Sequence, residues 1–355
     1  RIARNGDRSI AVDQYHRGAL RVFRPLYLDG TGQVAYYVVN PGGGYLDGDS
    51  YLTEVEVLQG ASAVLTTQAA TKIYRTPTCP VRQDTRVSLG PRAVLELVPD
   101  QVIAYRESSY RQTTLVEMDP TATFMSLEVL TPGWAPDGSA FGYDCVRMRT
   151  DIRVGGRCAV VDNLRLVPGE AGLAGLGGLE GHSHLASFTV LDARVDDALV
   201  NDVAQMLEVD DVRGAVTRVQ GPGFIARALG DDTTRLTALM LDISRGSTCA
   251  STSNSPLAWA AGTSRVSIDR SPSCLSHLLI GPTTRLPDRA PRPSRRSSRP
   301  AWAHWGAGWG RSSSSPGRSP DCSSWPASPS THRSWPCRWS SAQRCQRWRP
   351  GCWIY

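Results

Sequence analysis

Short apolar or alternating stretches recur along the first half of the chain, with Gly, Pro, Asn or Asp between them. Runs of this length that are bounded by turn residues are typical of β-strands. The predicted strands are Ala19–Leu28, Val34–Val39, Tyr51–Leu58, Ala63–Ala69, Arg82–Leu89, Ala93–Val98, Gln112–Met118, Thr123–Leu130, Val146–Val154, Cys158–Leu166 and Leu185–Leu191. The hydrophobic pattern therefore predicts a mainly β fold with an all-β body.

The predicted strand Tyr51–Leu58 shows the alternation most clearly. Its odd positions through Val57 share one face, and the carboxylates of Glu54 and Glu56 lie on the other. Strands that follow one another about every ten residues indicate a sandwich, a barrel or a solenoid. No known per-coil repeat signature stands out, so the periodicity leaves these three architectures open.

Helical periodicity occurs only late in the chain. A stripe at Leu199, Val203, Met206 and Leu207 follows Asp196 and Asp197, either of which can cap a helix. A second stripe at Leu236, Leu239, Met240 and Ile243 follows the Gly-Asp-Asp sequence at 230–232. Short strands are predicted between them at Val216–Val219 and Phe224–Ala228. The sequence therefore predicts two α-helices near the end of the body.

A glycine-rich stretch, NPGGGYLDGD at 40–49, separates two predicted strands. A phosphate-binding loop needs GK[ST] after its glycines and a helix whose N–H groups meet the phosphate. This stretch has neither, because a strand follows it. Asn-Pro starts turns, and glycine adopts positive φ without steric cost. The stretch is therefore predicted to connect a hairpin.

The composition of the chain changes near Gly246. Residues 247–355 hold 15 of the 39 Lys and Arg and 3 of the 33 Asp and Glu, which leaves 24 basic and 30 acidic residues in 1–246. They also hold 9 of the 10 Trp, and their apolar residues show no sustained period. We therefore predict an ordered domain over 1–246 and a low-complexity Ser/Pro/Arg/Trp tail over 247–355.

Three origins of the tail fit its composition. Arg, Ser, Pro, Ala, Gly, Trp and Cys are what GC-rich DNA encodes out of frame, so the leading hypothesis is an aberrant, frameshifted segment. The alternatives are a natural disordered basic extension and a tail that binds nucleic acid or a membrane surface through Arg interleaved with Trp. Resequencing the locus distinguishes the first from the others.

The cysteines and the hydropathy bear on the compartment. Cys79, Cys145 and Cys158 are the cysteines of the body, an odd number without C-x-x-C spacing, which favours a reducing compartment. No stretch approaches ~18 consecutive apolar residues, and no signal peptide is visible. We expect a cytoplasmic protein without a membrane or nucleic-acid partner.

Two early motifs carry a resemblance to a known family. NPGGGYLDGD at 40–49 and LTTQAATKIYR at 65–75 resemble the turn and the following strand of the UreD (UreH) urease accessory proteins. The resemblance continues through LRVFRPLYLD at 20–29, VPDQVIAY at 98–105 and LGDDTTRLTALMLDI at 229–243. It covers about residues 15–245 in the order of the family.

The resemblance implies a fold and a function. Family members have a β-helix-like body with two late helices and are not enzymes. With UreF and the GTPase UreG they act on apo-urease, where they help to place nickel in the metallocentre. An internal channel for transient Ni²⁺, no tightly bound cofactor and a homodimer of UreD–UreF units belong to the same expectation.

Several polar residues are candidates for a channel or an interface. Lys72, the only lysine, lies in the family motif with Tyr74 and Arg75. Carboxylates suit a transient cation path, because oxygen ligands hold Ni²⁺ more loosely than imidazole or thiolate does. The acidic candidates at turns or strand edges are Asp47, Asp49, Asp100 and Asp162. Acidic turn residues in water are the alternative for each of them.

His182 and His184 are the candidate metal ligands. Their i, i+2 spacing at the start of a strand places them on one face, and imidazole is a good nickel ligand. Two ligands do not close a metal site, so solvated loop histidines are the alternative. No catalytic constellation can be assembled from the sequence, which argues against an enzyme. A β-solenoid enzyme acting on polysaccharide remains the second functional hypothesis.

Overall fold

The structure is a computed structural model that describes residues 1–170 and 173–249. Its elements in chain order are β1 (Ile2–Asn5), β2 (Arg8–Ala11), β3 (Arg21–Val22), β4 (Val34–Val39), β5 (Ser50–Val57), β6 (Ser62–Gln68), β7 (Thr71–Ile73), β8 (Val81–Leu89), β9 (Val94–Val98), β10 (Val102–Ala104), β11 (Ser109–Met118), β12 (Thr123–Leu130), β13 (Cys145–Val154), β14 (Arg157–Leu166), β15 (His184–Leu191), α1 (Asp197–Met206), β16 (Arg213–Arg218), β17 (Gly223–Gly230) and α2 (Thr233–Cys249). The predictions for 250–355 lie outside the described residues.

The strands form two facing sheets. One has seven strands in the order β14-β13-β11-β8-β5-β1-β2. The other has ten, with the path β16-β17-β15-β12-β9-β6-β4-β3 and the short strands β10 and β7 beside it. The chain passes from one sheet to the other and back as it advances from β4 to β13. The predicted mainly β fold with two late helices is confirmed.

The central strands stack as coils of a solenoid. Ser62 pairs in parallel with Val94, and Val94 pairs in parallel with Thr123. One coil therefore takes about 30 residues and contacts the coil before it and the coil after it. The short strands β7 and β10, which pair in parallel, form a third face between the two sheets. The periodicity left a sandwich, a barrel and a solenoid open, and the structure is a solenoid.

The core lies between the sheets, where inward side chains of successive coils meet. Val34, Leu95 and Phe124 are almost fully buried there. Their register on neighbouring strands places them in one stack across the larger sheet. Dispersion contacts and removal of apolar surface from water hold the coils together.

The two helices cover the outer face of the larger sheet. Both begin after an aspartate: Asp196 Oδ1 accepts a hydrogen bond of 2.9 Å from the Leu199 amide, and Asp232 Oδ1 accepts one of 2.7 Å from the Arg235 amide. Met240 on α2 is fully buried against the outward side chains of β12, β15 and β17. The predicted helices and their apolar stripes are confirmed.

Two details of the prediction are wrong. The turn at 40–49 does not connect a hairpin, because β4 belongs to the ten-stranded sheet and β5 to the seven-stranded one. It is a corner of the solenoid, at which the Tyr45 amide donates to the Lys72 carbonyl. The predicted strand Ala19–Leu28 is reduced to Arg21–Val22 and a bridge at Leu26, since Pro25 lacks the amide that a ladder needs.

Candidate functional site

A small cavity lies inside the last coil of the solenoid, between the two sheets. Its volume of about 20 Å³ is enough for one water molecule or a bare metal ion. The side chains that line it come from five strands: Glu128, Leu130, Met148, Thr150, Asp162, Leu164, Leu185, Ser187 and Arg227. We refer to it as the interior cavity. Its charged groups are two carboxylates and one guanidinium.

The burial of both faces of β12 explains how Glu128 reaches the interior. Met125 and Leu127 pack under the helices, so the alternate positions of the strand point between the sheets. Glu128 occupies one of these inward positions, and its register partners Ser187 and Arg227 follow on β15 and β17. The register of these three strands thus places the Ser187 hydroxyl between the carboxylate of Glu128 and the guanidinium of Arg227.

Glu128 is a half-buried carboxyl that lines the cavity. The Gln112 amide donates a hydrogen bond to its Oε1 atom. The pKa of Glu128 is raised to about 7, mainly by burial. The nearby Asp162 adds to this shift, and the Gln112 bond and Arg227 oppose it. At neutral pH the Glu128 carboxyl is therefore partly protonated.

Asp162 and Arg227 close the other side of the cavity. They form an ion pair between β14 of one sheet and β17 of the other. The Nε atom of Arg227 is buried and has no hydrogen-bond partner among the described residues. A buried donor without a partner is costly, so the site has hydrogen-bonding capacity left for a water or a ligand oxygen.

Polar side chains continue from the cavity through the earlier coils. Gln112 accepts a hydrogen bond of 3.0 Å from the Tyr110 hydroxyl, which lies 2.9 Å from Gln83 Oε1. Gln83 pairs in register with Tyr51, whose hydroxyl donates to Asp49 Oδ2 at 2.7 Å. We call this series, from Asp49 to Glu128, the polar line. Hydrogen bonds join Gln83 to Glu128 through Tyr110 and Gln112, and register alone relates Gln83 to Tyr51.

The predicted carboxylates have different surroundings. Asp162 lines the interior cavity, and Asp49 lies at the outer end of the polar line. Asp47 is exposed and accepts hydrogen bonds from the Thr78 and Cys79 amides, which lower its pKa and tie two corners together. Burial raises the pKa of Asp100, which lies at a coil end beside Thr67.

The predicted motif at 72–75 lies on the third face of the solenoid. Lys72 is half-buried on β7, and its carbonyl accepts a hydrogen bond from the Tyr45 amide in the preceding corner. The Tyr74 ring packs edge-on against Tyr105 at 5.0 Å between centroids. Arg75 forms an ion pair with Glu107 at 2.5 Å. These contacts join adjacent coils, and none of the three side chains lines the interior cavity.

The two predicted metal ligands have separate partners. His182 Nδ1 lies 3.2 Å from Asp231 Oδ2, and His184 Nδ1 lies 2.8 Å from the Ser183 hydroxyl. Burial lowers the pKa of His184. Within 1–170 and 173–249, no group of three or more His, Cys, Asp or Glu is arranged to hold a metal ion. Metal binding by these histidines stays a prediction.

Sequence reasoning missed Glu128, Gln112 and Arg227. The run FMSLEVL at 124–130 has apolar residues on both faces of the predicted strand, so the sequence does not show which face points toward the core. The signal that was available is the single carboxylate in the middle of this run. A charged residue in a strand with two apolar faces is buried and is costly unless it has partners or a function.

Comparison with known proteins gives the family. The model of the family described as "UreD urease accessory protein" matches residues 1–260. The Actinomyces naeslundii urease accessory protein UreD is 91% identical over 244 residues, which are 69% of this chain and 90% of that protein. The protein of the same name from Arthrobacter sp. is 46% identical over 248 residues, 68% of this chain and 85% of that protein.

A more distant relative agrees with these two. The urease accessory protein UreD of Bacillus sp. is 36% identical over 233 residues, which are 65% of this chain and 85% of that protein. Neither helix in the described part of the chain has the length and apolar character that crossing a bilayer requires. From the family match and these identities, the chain belongs to the UreD family of urease accessory proteins.

Proposed function

We propose that this protein delivers Ni²⁺ to the urease metallocentre as a scaffold without catalytic turnover, in a complex with UreF, the GTPase UreG and apo-urease. The family and the names of its relatives support a urease accessory role rather than a polysaccharide-active enzyme. The observation that carries the nickel route is the polar line with the interior cavity at its end. The complex acts in the cytoplasm, with pairing of UreD–UreF units as its assembly form.

The chemistry of the cavity suits a cation that passes through and does not stay. Carboxylate and amide oxygens bind Ni²⁺ more weakly than the imidazole and thiolate ligands of permanent sites. Glu128 takes up a proton when the ion leaves, because its pKa is raised to about 7 by burial. Nickel is the cargo of this route, and the chain needs no resident cofactor for it.

The substitution Glu128→Gln tests the route. Glutamine removes the negative charge that would attract a divalent ion. The loss of this attraction is expected to cost about 1.4 kcal/mol, which corresponds to a tenfold weaker interaction with the ion. We expect about tenfold less nickel per urease when the variant is co-expressed with UreF, UreG and apo-urease. Nickel content and urease activity are the two readouts.

Glu96→Gln is the matched control. Glu96 is buried, and burial raises its pKa to about 7, as it does for Glu128, but Glu96 does not line the cavity. It pairs with Gln33 at 2.9 Å on the outer side of the larger sheet. We expect normal nickel loading for this variant. Equal loading by Glu128→Gln and wild type would contradict the route, and failure of the wild-type chain to increase loading would contradict the function itself.

A further inference from the structure

The outward face of the seven-stranded sheet carries its side chains in rows, because parallel neighbours are in register. One row consists entirely of arginines, one on each of four adjacent strands: Arg82, Arg111, Arg147 and Arg165. We call these four residues the arginine row. At about 4.8 Å between strands, the row places four guanidinium groups along roughly 14 Å. Three of the four are exposed, and Arg111 is half-buried.

Three other arginines on this face form ion pairs within the sheet. Their ion pairs are Arg86–Glu54 at 3.4 Å, Arg149–Asp151 at 2.9 Å and Arg153–Glu117 at 3.6 Å. In the arginine row, Arg165 pairs with Glu170 at 2.7 Å, and Arg147 Nε donates to the Asn163 amide oxygen at 3.3 Å. Across the described ranges, no carboxylate forms an ion pair with Arg82, Arg111 or Arg147. These three members of the row therefore lack the carboxylate partners that Arg86, Arg149 and Arg153 have.

This placement has an energetic cost for the isolated protein. Like charges directly opposite each other on adjacent strands repel and destabilise the pair. The use of Arg rather than Lys is uninformative here, because the chain has one Lys among its 39 basic residues. The informative fact is that the register brings four of them together, and three of these form no ion pair among the described residues. An anionic partner would convert this repulsion into attraction.

The rest of the face favours a protein as that partner. Carboxylates lie on the same face below the row, among them Asp84 and Glu54, and would repel a phosphate backbone or an anionic bilayer spread over the sheet. Exposed apolar side chains lie among them: Leu52, Leu115 and Val161. Arginine beside scattered apolar contacts is typical of protein–protein interfaces. Residues 250–355 of the same chain contain 15 Arg and 3 Asp, so their charge does not complement the row.

From these observations we infer that the arginine row docks an acidic surface of a partner protein, whose carboxylates bind along Arg82, Arg111 and Arg147. Guanidinium groups bind carboxylates with paired, directional hydrogen bonds. The inference rests on the proposed function, in which this chain acts inside a protein complex. It adds the surface by which one component is held.

The test replaces three members of the row at once. The probes are purified UreF and purified apo-urease from the same genome, and the full chain carries Arg82→Gln, Arg111→Gln and Arg147→Gln. We expect affinity for one of the two probes to fall roughly 100-fold and its dependence on salt to become weaker, because several charge-assisted contacts are lost together. Affinity is measured by calorimetry at low and high salt.

The control is a second triple variant on the same face: Arg86→Gln, Arg149→Gln and Arg153→Gln. It removes the same number of charges from paired positions, so affinity is expected to stay within about threefold of wild type. Thermal unfolding provides a further readout. The variant of the row is expected to unfold at or above the wild-type temperature, because a repulsion is removed, which separates lost docking from lost folding.

Each outcome bears on the inference. Two results would overturn the docking surface: the variant of the row binds both probes with wild-type affinity, or both triple variants lose affinity equally. Neither result would contradict the proposed function. Tight binding of the wild-type chain to a DNA duplex or to phosphatidylglycerol vesicles, with the row required, would also overturn it. If the wild-type chain binds neither UreF nor apo-urease, both proposals fail.

Discussion

Two glutamates have nearly the same local chemistry and different positions. Glu96 is buried and Glu128 is half-buried. Each accepts a hydrogen bond from a glutamine amide, and desolvation raises the pKa of each to about 7. Glu128 faces the interior cavity, whereas Glu96 lies on the opposite side of the sheet. The shared feature predicts a common effect on stability, and the different position predicts a different effect on nickel loading.

The substitution Glu96→Gln is expected to stabilise the protein at alkaline pH. The unfolded chain releases this proton near the ordinary value of 4.5, and the folded chain keeps it until about 7. The wild type therefore loses stability as pH rises through this window, by up to about 3 kcal/mol. Glutamine keeps the hydrogen bond without the charge. Urea denaturation should show the variant more stable at pH 8 and equal to wild type at pH 4.

An exposed glutamate supplies the control for this pH effect. Glu208 follows α1 and is exposed, so Glu208→Gln removes a solvated carboxylate. Its stability difference from wild type should be small at both pH values. A gain for Glu96→Gln that is the same at pH 4 and pH 8 would show that the buried carboxyl does not titrate in this window.

At the scale of single residues, the sequence does not predict which polar side chains meet in the core. The resemblance to the family points to Asp162 and Asp49, but nothing in the sequence indicates that the residues of the polar line lie in the core between them. Gln83, Gln112 and Tyr110 are ordinary residues of alternating strands. Their meeting inside the core depends on register between strands about 30 residues apart, which local patterns do not contain.

Among the elements, the corners determine how the strands are arranged. The local pattern at 40–49 predicts a turn correctly, and Gly43 has the positive φ of 82° that such turns use. The pairing prediction is wrong because the partner of β4 is β6 rather than β5. A hairpin and a solenoid corner have the same local turn chemistry. Only the stacking of whole coils, which buries more apolar surface, distinguishes them.

The substitution Gly44→Ala is expected to disturb this corner. A Cβ atom at Gly44 would lie 2.6 Å from a carbon of the Tyr74 ring and 2.9 Å from the Lys72 carbonyl oxygen. Neither neighbour can move without shifting the adjacent coil. We expect a loss of about 1–3 kcal/mol in the free energy of unfolding, measured by urea denaturation.

Gly42→Ala is the matched control in the same turn. Its Cβ atom would meet only the Asn40 side-chain oxygen at 3.1 Å, and a side chain adjusts more easily than a backbone. The expected loss is below about 1 kcal/mol. Equal losses for the two variants would show that close packing of the corner against Tyr74 is not what requires glycine at 44.

On the scale of the whole molecule, the family match and the described body cover nearly the same part of the chain. The match ends at residue 260, and α2 ends at Cys249, slightly beyond the predicted boundary at 246. The curated relatives named above align with 65–69% of the chain. The frameshift hypothesis for 247–355 stays a prediction, because its residues from 250 onward lie outside the described part.

A chain that ends at Cys249 is expected to fold and to function. It keeps both helices and the full outer face of the larger sheet, including the buried contacts of Met240 and Ile243. Its unfolding should be one cooperative transition, and its activation of co-expressed apo-urease should equal that of the full chain. Loss of activation with folding intact would show that the remaining segment has a function of its own.

Both sheets change from parallel to antiparallel pairing at each end of the solenoid. The changes occur at β1–β2 and β3–β4 on one side and at β13–β14 and β12–β15 on the other. An open parallel stack offers a template on which another coil, or another molecule, can grow. Here an antiparallel strand follows the last parallel strand of each sheet on both sides. A further coil could not continue the parallel register of the inner coils, so these strands act as caps of the parallel stack.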